Sequence, residues 1–525
     1  MGDRVFFTDL ITESAFATKQ DGRTRVLILG AGFAGMSAAN ALCDNLHHHL
    51  RGGSVEVLMV DQRNYHLYTP FLFQSATGLV DPDHIAQPIR PRARKKGFDF
   101  IEADVESINL PSRSVATSAG KIVYDYLIIA LGSVKDDARM RGAKENSIPL
   151  KTLEDSKRIH DRIIYSFERA SLLEPDNPER STLLTFIVIG GTTGVELAGS
   201  IYDYIHLIAE DYPQIDVNNE ARVMVIEANE RLFPEGDRSL SEDVKTTMEK
   251  RGIEIRVNTK VTSIEPFLVK IEDGSSIRSA NIFWNAGIKA SPVVGAIPDG
   301  VAEKHKGRIV VDDHLRVPNF QEVYAIGDVS AALASPETSS SADEEAEHHH
   351  PSESRHDEGE RKKTPVSSHR GRYAPPTAEA AVEEGSFVGK DLASRINGDL
   401  TDAERKAQAA ATSQKPFKFK EKGVMLSIGR HYGLVKFTHS TFKGYFGWLI
   451  WRLVHVALVS TMQDKISVIF DWTFGSFRKR NISQFAVPAQ VIKNTAAGIA
   501  ESSGGKSNNS EGRQTLVQQR HATEE

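Results

Sequence analysis

Short apolar runs alternate with helix-like segments along the first third of the chain. RVLIL at 25–29 leads into a glycine-rich turn, the small-residue stretch MSAANALCDNL, and a second apolar run, VEVLMVD, that ends in an acid. A further run, YDYLIIALGS at 124–133, is also followed by glycine. Apolar runs of about four to eight residues that alternate with helices indicate buried parallel strands. The pattern therefore predicts an α/β fold on a parallel sheet.

The same plan then recurs. Thr152 opens a helical stretch with Asp155 three residues later, the spacing of a capping box. TFIVIGGTTGVELAGSIYDYI at 185–205 and ARVMVIE at 221–227 repeat the order strand, glycine turn, helix, strand. A strand-like sequence pattern returns at 302–330. We predict two copies of a nucleotide-binding βαβ unit.

Three segments differ in composition from this plan. Residues 1–23 resemble a polar leader, and residues 488–525 resemble a loose tail rich in Ser, Asn, Gly and Gln. Residues 335–372 hold nine acids, five histidines and a single large aliphatic residue, Val366, so we predict a disordered surface insertion. His348–His350 lack a second ligand set at metal-site spacing, and no metal site is predicted.

Composition narrows the classes of function. A chain of 525 residues is long enough for two or three domains, and a net charge of -6 argues against a nucleic-acid role. Cys43 is the one cysteine, which excludes a disulfide framework and a redox-active cysteine pair; we expect it to be buried. No secretory signal and no run of about 20 apolar residues is present. We expect a cytoplasmic protein that can still attach to a membrane face.

GAGFAG at 30–35 fits the dinucleotide fingerprint between a strand and a helix. Gly30 permits the tight turn, Gly32 lets a pyrophosphate approach the backbone, and Gly35 lets the helix pack on the strand. Phe33 and Ala34 begin the helix, whose free N–H groups attract phosphates. Asp61 closes the next strand, where a carboxylate can accept ribose hydroxyls.

The second glycine turn is less regular. Counted back from the helix, Gly191 and Gly194 take the second and third glycine places, and Ile189 falls at the first, with Gly190 beside it. A shifted or shortened turn must therefore bind the pyrophosphate at this position. Glu227 ends the following strand, and an acid at that position repels a 2′-phosphate, which favours NADH over NADPH.

An ordered set of motifs resembles the type II NADH dehydrogenases, single-subunit NADH:quinone oxidoreductases of the two-dinucleotide-binding flavoproteins. The matching texts cover most of the chain: GAGFAG, NYHLYTPFLFQSATG, YDYLIIALGS, GVELAG, WNAGIKASP, LRVPNFQEVYAIGD, PPTAEAAVEEG and WLIWRLVHVALVSTMQDKISVIFDW. Sulfide:quinone oxidoreductases are disfavoured because their cysteine chemistry needs more than one cysteine.

The resemblance implies that the first unit holds FAD and that the second, which holds NADH, is inserted into it. The boundaries expected are 24–150 and 302–415 for the FAD domain, 151–301 for a linker helix and the NADH domain, and 416–487 for a C-terminal membrane-surface region. Gly132, Gly327 and Asp328 would contact FAD, with the carboxylate of Asp328 on the ribityl hydroxyls.

Catalytic positions also follow from the resemblance. Glu196 matches a glutamate near the nicotinamide and flavin, although an acid near a helix start is also favoured by the helix dipole. Gly287 and Lys289 match a loop near the flavin, where Lys289 could offset the charge of reduced flavin or be a solvated lysine. NADH would deliver a hydride to flavin N5.

At the acceptor end, the family has glutamines where this chain has Glu379, Glu383 and Glu384. A carboxyl in an apolar pocket would have a raised pKa and could donate a proton to a reduced quinone. Alternatively, all three face solvent and the acceptor differs.

The stretch Gly447–Val459 is apolar but too short to cross a bilayer. With Trp448, Trp451 and Trp472 as interfacial aromatics and a basic cluster at 478–480, residues 440–487 suit a helix on the membrane surface. The alternative is a core helix or a homodimer contact.

We expect FAD-dependent, non-proton-pumping oxidation of NADH with electron transfer to a membrane quinone, at the cytoplasmic face of the cell membrane. Two alternatives stay open, namely an NADH oxidoreductase with a soluble acceptor and a nucleotide-binding redox sensor.

Overall fold

The computed structural model describes residues 22–136, 140–233, 237–334, 373–400, 416–438, 440–459, 461–474 and 482–484. The predictions for the leader up to residue 21, the insertion at 335–372, the basic cluster at 478–480 and the tail at 488–525 lie outside these residues.

The first sheet has six strands. Their order across the sheet is Arg316–Val317, Phe320–Ala325, Tyr126–Ile129, Thr24–Leu29, Val55–Asp61 and Asp99–Glu102. All neighbours are parallel except the first pair. Residues 26–29 are fully buried, because helices cover the sheet. The helices that follow its strands are Phe33–Asn45, His47–Gly52, Ile89–Lys96 and Ala378–Leu400.

Two of these helices approach each other at backbone distance. A Cβ on Gly385 of helix Ala378–Leu400 would lie 2.2 Å from the carbonyl oxygen of Ala34, and one on Gly389 would lie 2.6 Å from that of Ala38. The glycines therefore let the later helix pack directly on helix Phe33–Asn45, which starts at the first glycine turn.

The second sheet is parallel throughout. Its order is Ile148–Pro149, Asn281–Trp284, Thr185–Ile189, Arg222–Ile226 and Glu254–Arg256. Its helices are Leu153–Ala170, Pro178–Leu183, Thr192–Ile208, Val217–Glu220 and Arg238–Lys250. All of them fall in sequence between two adjacent strands of the first sheet, Tyr126–Ile129 and Phe320–Ala325. The predicted α/β fold, with the second Rossmann-like unit inserted into the first, is confirmed.

Local predictions are also confirmed. The Thr152 hydroxyl accepts the Asp155 N–H at 3.1 Å and the Asp155 carboxylate accepts the Thr152 N–H at 2.9 Å, which completes the capping box. Cys43 is buried, and that burial raises the pKa of its thiol to about 12.

Smaller elements complete the described residues. The two-stranded sheets are Tyr65–Leu67 with Ala86–Pro88, and Ser133–Lys135 with Ile288–Ala290. The three-stranded sheets are Val105–Asn109, Ser114–Thr117 and Gly120–Val123; Val261–Glu265, Leu268–Ile271 and Ser276–Arg278; and Lys304–His305, Arg308–Val310 and Ser330–Ala331. Short helices are Leu72–Ser75, Ala143–Asn146 and Pro292–Gly295, with 3-10 turns at Thr69–Phe71, Pro82–His84, Ala209–Asp211 and Gly327–Val329.

The C-terminal region is an antiparallel sheet followed by two helices. Its elements are Gly423–Ser427, Gly433–Phe437, Thr441–Lys443, Gly444–Leu458 and Met462–Phe474. The buried side chains of this region join the core cluster of the second unit. The C-terminal region therefore packs on the inserted unit and on the segment around residues 67–80.

Candidate active site

The first glycine turn is shaped by two close backbone approaches. Gly30 has φ +101°, and a Cβ there would lie 2.2 Å from the Ala130 carbonyl oxygen. A Cβ on Gly35 would lie 1.9 Å from the Gly30 carbonyl oxygen. Gly32 meets nothing within 4 Å and caps helix Phe33–Asn45 without a side-chain bond to its first N–H groups. The helix N-terminus is therefore open to a phosphate group.

A cleft of about 680 Å³ runs along this turn, and Phe33 and Ala34 line it. Asp61 also lines it, and its carboxylate accepts the N–H of Ala31 at 2.7 Å and of Arg63 at 2.9 Å. Burial raises the pKa of Asp61. The carboxylate thus stands at the end of its strand, beside the turn, where a ribose can reach it.

The other end of the cleft is built around Asp328. The hydroxyl of Ser133 donates to its carboxylate at 2.5 Å, and the Lys151 ammonium lies 3.8 Å away. Gly132 and Gly327 both have positive φ, +64° and +72°, and both line the cleft. Sequence reasoning missed Ser133 and Lys151, although Lys151 directly precedes the capping box that fixes its position.

The second glycine turn is one residue shorter than the first. Gly190 has φ +111°, a Cβ there would lie 2.5 Å from the Ala286 nitrogen, and its N–H bonds the Ile226 carbonyl at 3.0 Å. Gly190 thus takes the structural position of Gly30. The helix after Gly190 begins two residues later, at Thr192, whereas the helix after Gly30 begins three residues later, at Phe33. Gly191 caps this helix without a side-chain bond.

Two further predicted residues lie at this turn. Glu227 is buried and accepts the backbone and side-chain N–H groups of Asn229 at 2.9 and 2.7 Å. A Cβ on Gly191 would lie 3.8 Å from its carboxylate, which places the acid beside the turn. Gly194 packs against Val188, where a Cβ would lie 3.2 Å from a methyl group.

Glu196 connects the second turn to the C-terminal sheet. Its carboxylate accepts the Ser427 N–H at 3.1 Å, and burial raises its pKa to about 8. On the same helix face, a Cβ on Gly199 would lie 2.9 Å from the Gly429 nitrogen, and Asp203 accepts the Arg430 N–H. The helix that bears Glu196 is therefore held against the C-terminal region.

Lys289, predicted to lie near the flavin, is ion-paired with a buried carboxylate beside the cleft. Its ammonium lies 3.5 Å from the Asp136 carboxylate, and a Cβ on Gly287 would lie 3.5 Å from the Asp136 Cβ. Lys289 is not among the residues that line the cleft, whereas Lys135 and Lys151 are. Lys289 is paired across an antiparallel register with Val134, whose strand Ser133–Lys135 lines the cleft.

The three glutamates at the glutamine positions have different surroundings. Glu379 accepts the backbone N–H of Lys422 at 3.2 Å, and Glu383 is ion-paired with the Lys422 ammonium. Glu384 is 2 % exposed and accepts the N–H of Gly327 at 2.7 Å. Burial raises the pKa of Glu384 to about 8, although that N–H and the nearby Arg308 charge favour its ionised form. The most buried carboxyl of the three thus holds the turn that bears Asp328.

The tryptophans of the C-terminal helices are not interfacial. Trp448, Trp451 and Trp472 are 8 %, 1 % and 5 % exposed. The Trp472 ring N–H donates to the Gln74 side chain at 2.8 Å, and the guanidinium of Arg452 lies 3.7 Å from the Trp448 ring centroid. The expectation that these rings meet a membrane is wrong, because they lie on the buried side of the helices.

The opposite side of these helices is apolar and exposed. Ten large hydrophobic residues there are more than a third exposed: Tyr445, Phe446, Leu449, Leu453, Leu458, Met462, Ile466, Ile469, Phe470 and Phe474. We call this set the apolar face. Across the described ranges, the helices are too short or too polar to cross a membrane.

Comparisons with known proteins agree with this geometry. The family model for pyridine nucleotide-disulphide oxidoreductases matches residues 24–356. The "Probable NADH dehydrogenase" of Dictyostelium discoideum is 27% identical over 476 residues, covering 88% of this chain and 91% of that protein. The "Type II NADH:quinone oxidoreductase NdhA" of Mycobacterium tuberculosis is 27% identical over 484 residues, 90% of this chain and 91% of that protein.

A solved structure of NDH2 from Plasmodium falciparum shares the fold. It superposes with a TM-score of 0.72 at 18% identity and covers 88% of this chain and 100% of that chain. The glycine turns, the inserted unit and the family match lead to one conclusion: the chain belongs to the pyridine nucleotide-disulphide oxidoreductase family.

Proposed function

We propose that this protein is an FAD-dependent NADH:quinone oxidoreductase that does not pump protons. The observation that carries the proposal is the pair of glycine turns at Gly30 and Gly190, each with an open helix N-terminus and an acid, Asp61 or Glu227, at the end of the next strand. Relatives named NADH dehydrogenase and type II NADH:quinone oxidoreductase, similar over nearly the full chain, support the same activity.

The residues of the first cleft fit FAD. The open turn at Gly32 takes the pyrophosphate, Asp61 accepts the ribose hydroxyls, and Asp328 accepts hydroxyls of the ribityl chain. Ser133 and Lys151 hold the Asp328 carboxylate in place and offset its charge. A flavin bound here supplies the redox chemistry, because it can accept a hydride and release electrons singly or in pairs.

The second turn fits NADH. Gly190 and Gly191 leave the helix N-terminus free for the pyrophosphate, and the buried Glu227 carboxylate disfavours a 2′-phosphate. Glu196 lies on the next turn of the same helix, where its protonated carboxyl can orient the nicotinamide amide. A solved structure of the Plasmodium falciparum NDH2 is in complex with NADH, which supports this assignment.

The acceptor is a quinone, and the apolar face is the surface that reaches it. A quinone dissolves in lipid, so the enzyme must approach the membrane, and the ten residues of the apolar face offer exposed apolar side chains for this purpose. We place the enzyme at the cytoplasmic face of the cell membrane, as a monomer or a homodimer.

We further propose that Glu379, Glu383 and Glu384 lie toward the acceptor end. The proposed domain boundaries are 24–150 with 302–415 for the FAD domain, 151–301 for the linker helix and NADH domain, and 416–487 for the C-terminal region.

Reconstitution into sealed, quinone-containing liposomes tests the acceptor and the proton balance. We expect equimolar NADH oxidation and quinone reduction, with no proton movement into the vesicle lumen reported by a trapped pH dye. Activity restricted to soluble acceptors would favour the alternative of a soluble acceptor. Acidification of the lumen would contradict the non-pumping assignment.

A further inference from the structure

A second cleft lies outside the redox site, between the end of helix Arg238–Lys250 and the loop that joins the first two C-terminal strands. Its volume is about 560 Å³, and its lining residues are Asp243, Thr246, Thr247, Lys250, Arg251, Arg430 and Tyr432. None of them has a part in the binding of FAD or NADH described above. The lining therefore has a polar and mainly cationic character that the proposed redox function does not require.

The Arg251 guanidinium and the backbone of Arg430 are fixed in place by the fold. The Arg251 guanidinium is ion-paired with Asp203 and donates to the Ile428 carbonyl at 2.5 Å. Asp203 also accepts the backbone N–H of Arg430. The cationic side of the cleft is thus organised by the same helix, Thr192–Ile208, that bears Glu196.

The carboxylates near the cleft do not cancel its charge. Asp243 lines the cleft but is ion-paired with Lys443, and Asp203 is paired with Arg251. Lys250 is exposed at its rim and Arg430 is half-buried in its wall. Among the lining residues the three cations Lys250, Arg251 and Arg430 outnumber the one carboxylate, Asp243, and the hydroxyls of the two threonines add hydrogen-bond donors.

The cleft borders the apolar face. Lys443, the ion-pair partner of Asp243, directly precedes helix Gly444–Leu458, whose residues Tyr445 and Phe446 are 54 % and 71 % exposed. The ring of His431, between Arg430 and Tyr432 in the loop, stacks on Tyr445 with 6.1 Å between centroids. A cleft at the edge of a membrane-bound apolar surface lies at the level of the lipid head groups.

We propose that this cleft binds the phosphate of an anionic lipid head group, with Lys250, Arg251 and Arg430 as its ligands. The inference rests on the proposed membrane binding through the apolar face and adds a lipid preference to it. Phosphate oxygens accept hydrogen bonds from Arg and Lys. The Arg251 Nη1 donates to the Ile428 and Arg430 carbonyls and its Nη2 donates to Asp203, which leaves two of the five guanidinium N–H groups for a phosphate. Each cation near an anionic surface is expected to raise the membrane partition coefficient about fivefold.

The test uses the full chain and two double variants. Lys250→Gln with Arg430→Gln removes two cleft cations, and Lys260→Gln with Lys270→Gln removes two exposed lysines from a hairpin of the inserted unit. Co-sedimentation is measured with phosphatidylcholine vesicles and with vesicles that contain about 30% phosphatidylglycerol. Thermal melting and NADH oxidation with a soluble acceptor check the fold, since Lys250 in the last helical turn also interacts with the helix dipole.

Wild type and the hairpin variant should bind anionic vesicles more tightly than neutral ones. The cleft variant should keep its neutral-vesicle binding and lose most of the anionic gain, a drop of roughly twentyfold or more for two charges. An unchanged gain in the cleft variant, or an equal loss in the hairpin variant, overturns the proposal. If wild type binds neither vesicle, the membrane proposal itself fails and the head-group site with it.

Inorganic phosphate separates a lipid ligand from a free one. At constant ionic strength, millimolar phosphate should leave the wild-type protein on anionic vesicles and its melting temperature unchanged. Release from the vesicles by phosphate, together with a rise in melting temperature that the cleft variant lacks, would show a free-phosphate site and overturn the lipid assignment.

Discussion

Glu196 carries a carboxyl that is protonated at neutral pH in the folded protein. Its pKa is raised to about 8 by burial, whereas an unfolded glutamate titrates at about 4.3. Between these values the native state holds a proton that the unfolded state has lost, so the free energy of unfolding falls as pH rises through that window.

Glu196→Gln should therefore flatten two pH profiles. The variant lacks the fall in stability between about pH 4.5 and 8, which a shift of this size makes roughly 5 kcal/mol for one group. It should also keep a constant rate of NADH-driven flavin reduction across pH 7 to 9, where the wild-type rate changes near pH 8. Thermal melts and stopped-flow absorbance measure these quantities; a wild-type profile in the variant would leave Glu196 without a role in hydride transfer.

We expect Glu227 to favour NADH over NADPH by charge. Glu227→Gln keeps the shape and the acceptor oxygen toward Asn229 but removes the repulsion of a 2′-phosphate. We expect the ratio of kcat/KM for NADPH to that for NADH to rise roughly tenfold, equivalent to about 1.4 kcal/mol. Glu230→Gln, three residues later and more exposed, is the matched control. Equal shifts in both variants would contradict the assignment.

Sequence reasoning found the glycines and acids but not every role among them. The first turn was predictable because its spacing is regular. The second was predicted only as a shifted or shortened turn; it is one residue shorter, and its positive φ lies at Gly190, which a count from Gly194 alone does not locate. Ser133 and Lys151 were not predicted for a different reason. Their contacts with the Asp328 carboxylate form only when three separate chain segments meet in the fold.

At the scale of elements, the contact between helices Phe33–Asn45 and Ala378–Leu400 connects the first glycine turn to Glu384. Gly385→Ala would put a methyl group 2.2 Å from the Ala34 carbonyl oxygen, so one helix must shift. We expect a loss of about 1–3 kcal/mol in unfolding free energy and weaker FAD retention.

Gly52→Ala in helix His47–Gly52 is the matched control, because its Cβ meets nothing within 4 Å. It should leave stability unchanged or raise it slightly. Chemical denaturation and the flavin content after gel filtration distinguish the two variants. Equal behaviour of both would show that the helix contact does not constrain the turn.

The two sides of helix Gly444–Leu458 should respond oppositely to substitution. Leu453→Glu, at a position 63 % exposed, should abolish vesicle binding and leave the fold intact, whereas the control Leu172→Glu, 75 % exposed elsewhere, should leave both vesicle binding and the fold unchanged. Trp451→Ala should cost about 3–5 kcal/mol of stability because that ring is buried. Vesicle sedimentation and denaturant titration measure these effects; vesicle binding that survives Leu453→Glu would exclude the apolar face as the membrane surface.

The orientation of these helices could not be predicted from the sequence pattern. An apolar stretch with tryptophans predicts a surface helix, but it does not tell which face is turned outward. The rings of Trp451 and Trp472 pack beside Phe71 and Gln74, whereas the aliphatic, Phe and Tyr side chains of the apolar face are left exposed. The orientation is set by tertiary packing against residues nearly 400 positions earlier in the chain.

At the scale of the whole molecule, two Rossmann-like units and a C-terminal region share one packed arrangement. Helix Thr192–Ile208 contacts the C-terminal loop through Gly199 and Asp203, and Tyr68 donates to the His455 carbonyl at 3.1 Å. This arrangement was predictable in its order because the βαβ plan repeats along the sequence. The contacts between units were not, because each depends on single residues far apart in the chain.

In the proposed function, one protein holds FAD and NADH so that a hydride passes between them. Anaerobic titration of the purified protein with NADH, followed by addition of a quinone, tests it most directly. We predict a flavin absorbance band that bleaches with one equivalent of NADH and returns with one equivalent of quinone. A band that stays oxidised at saturating NADH would contradict the claim.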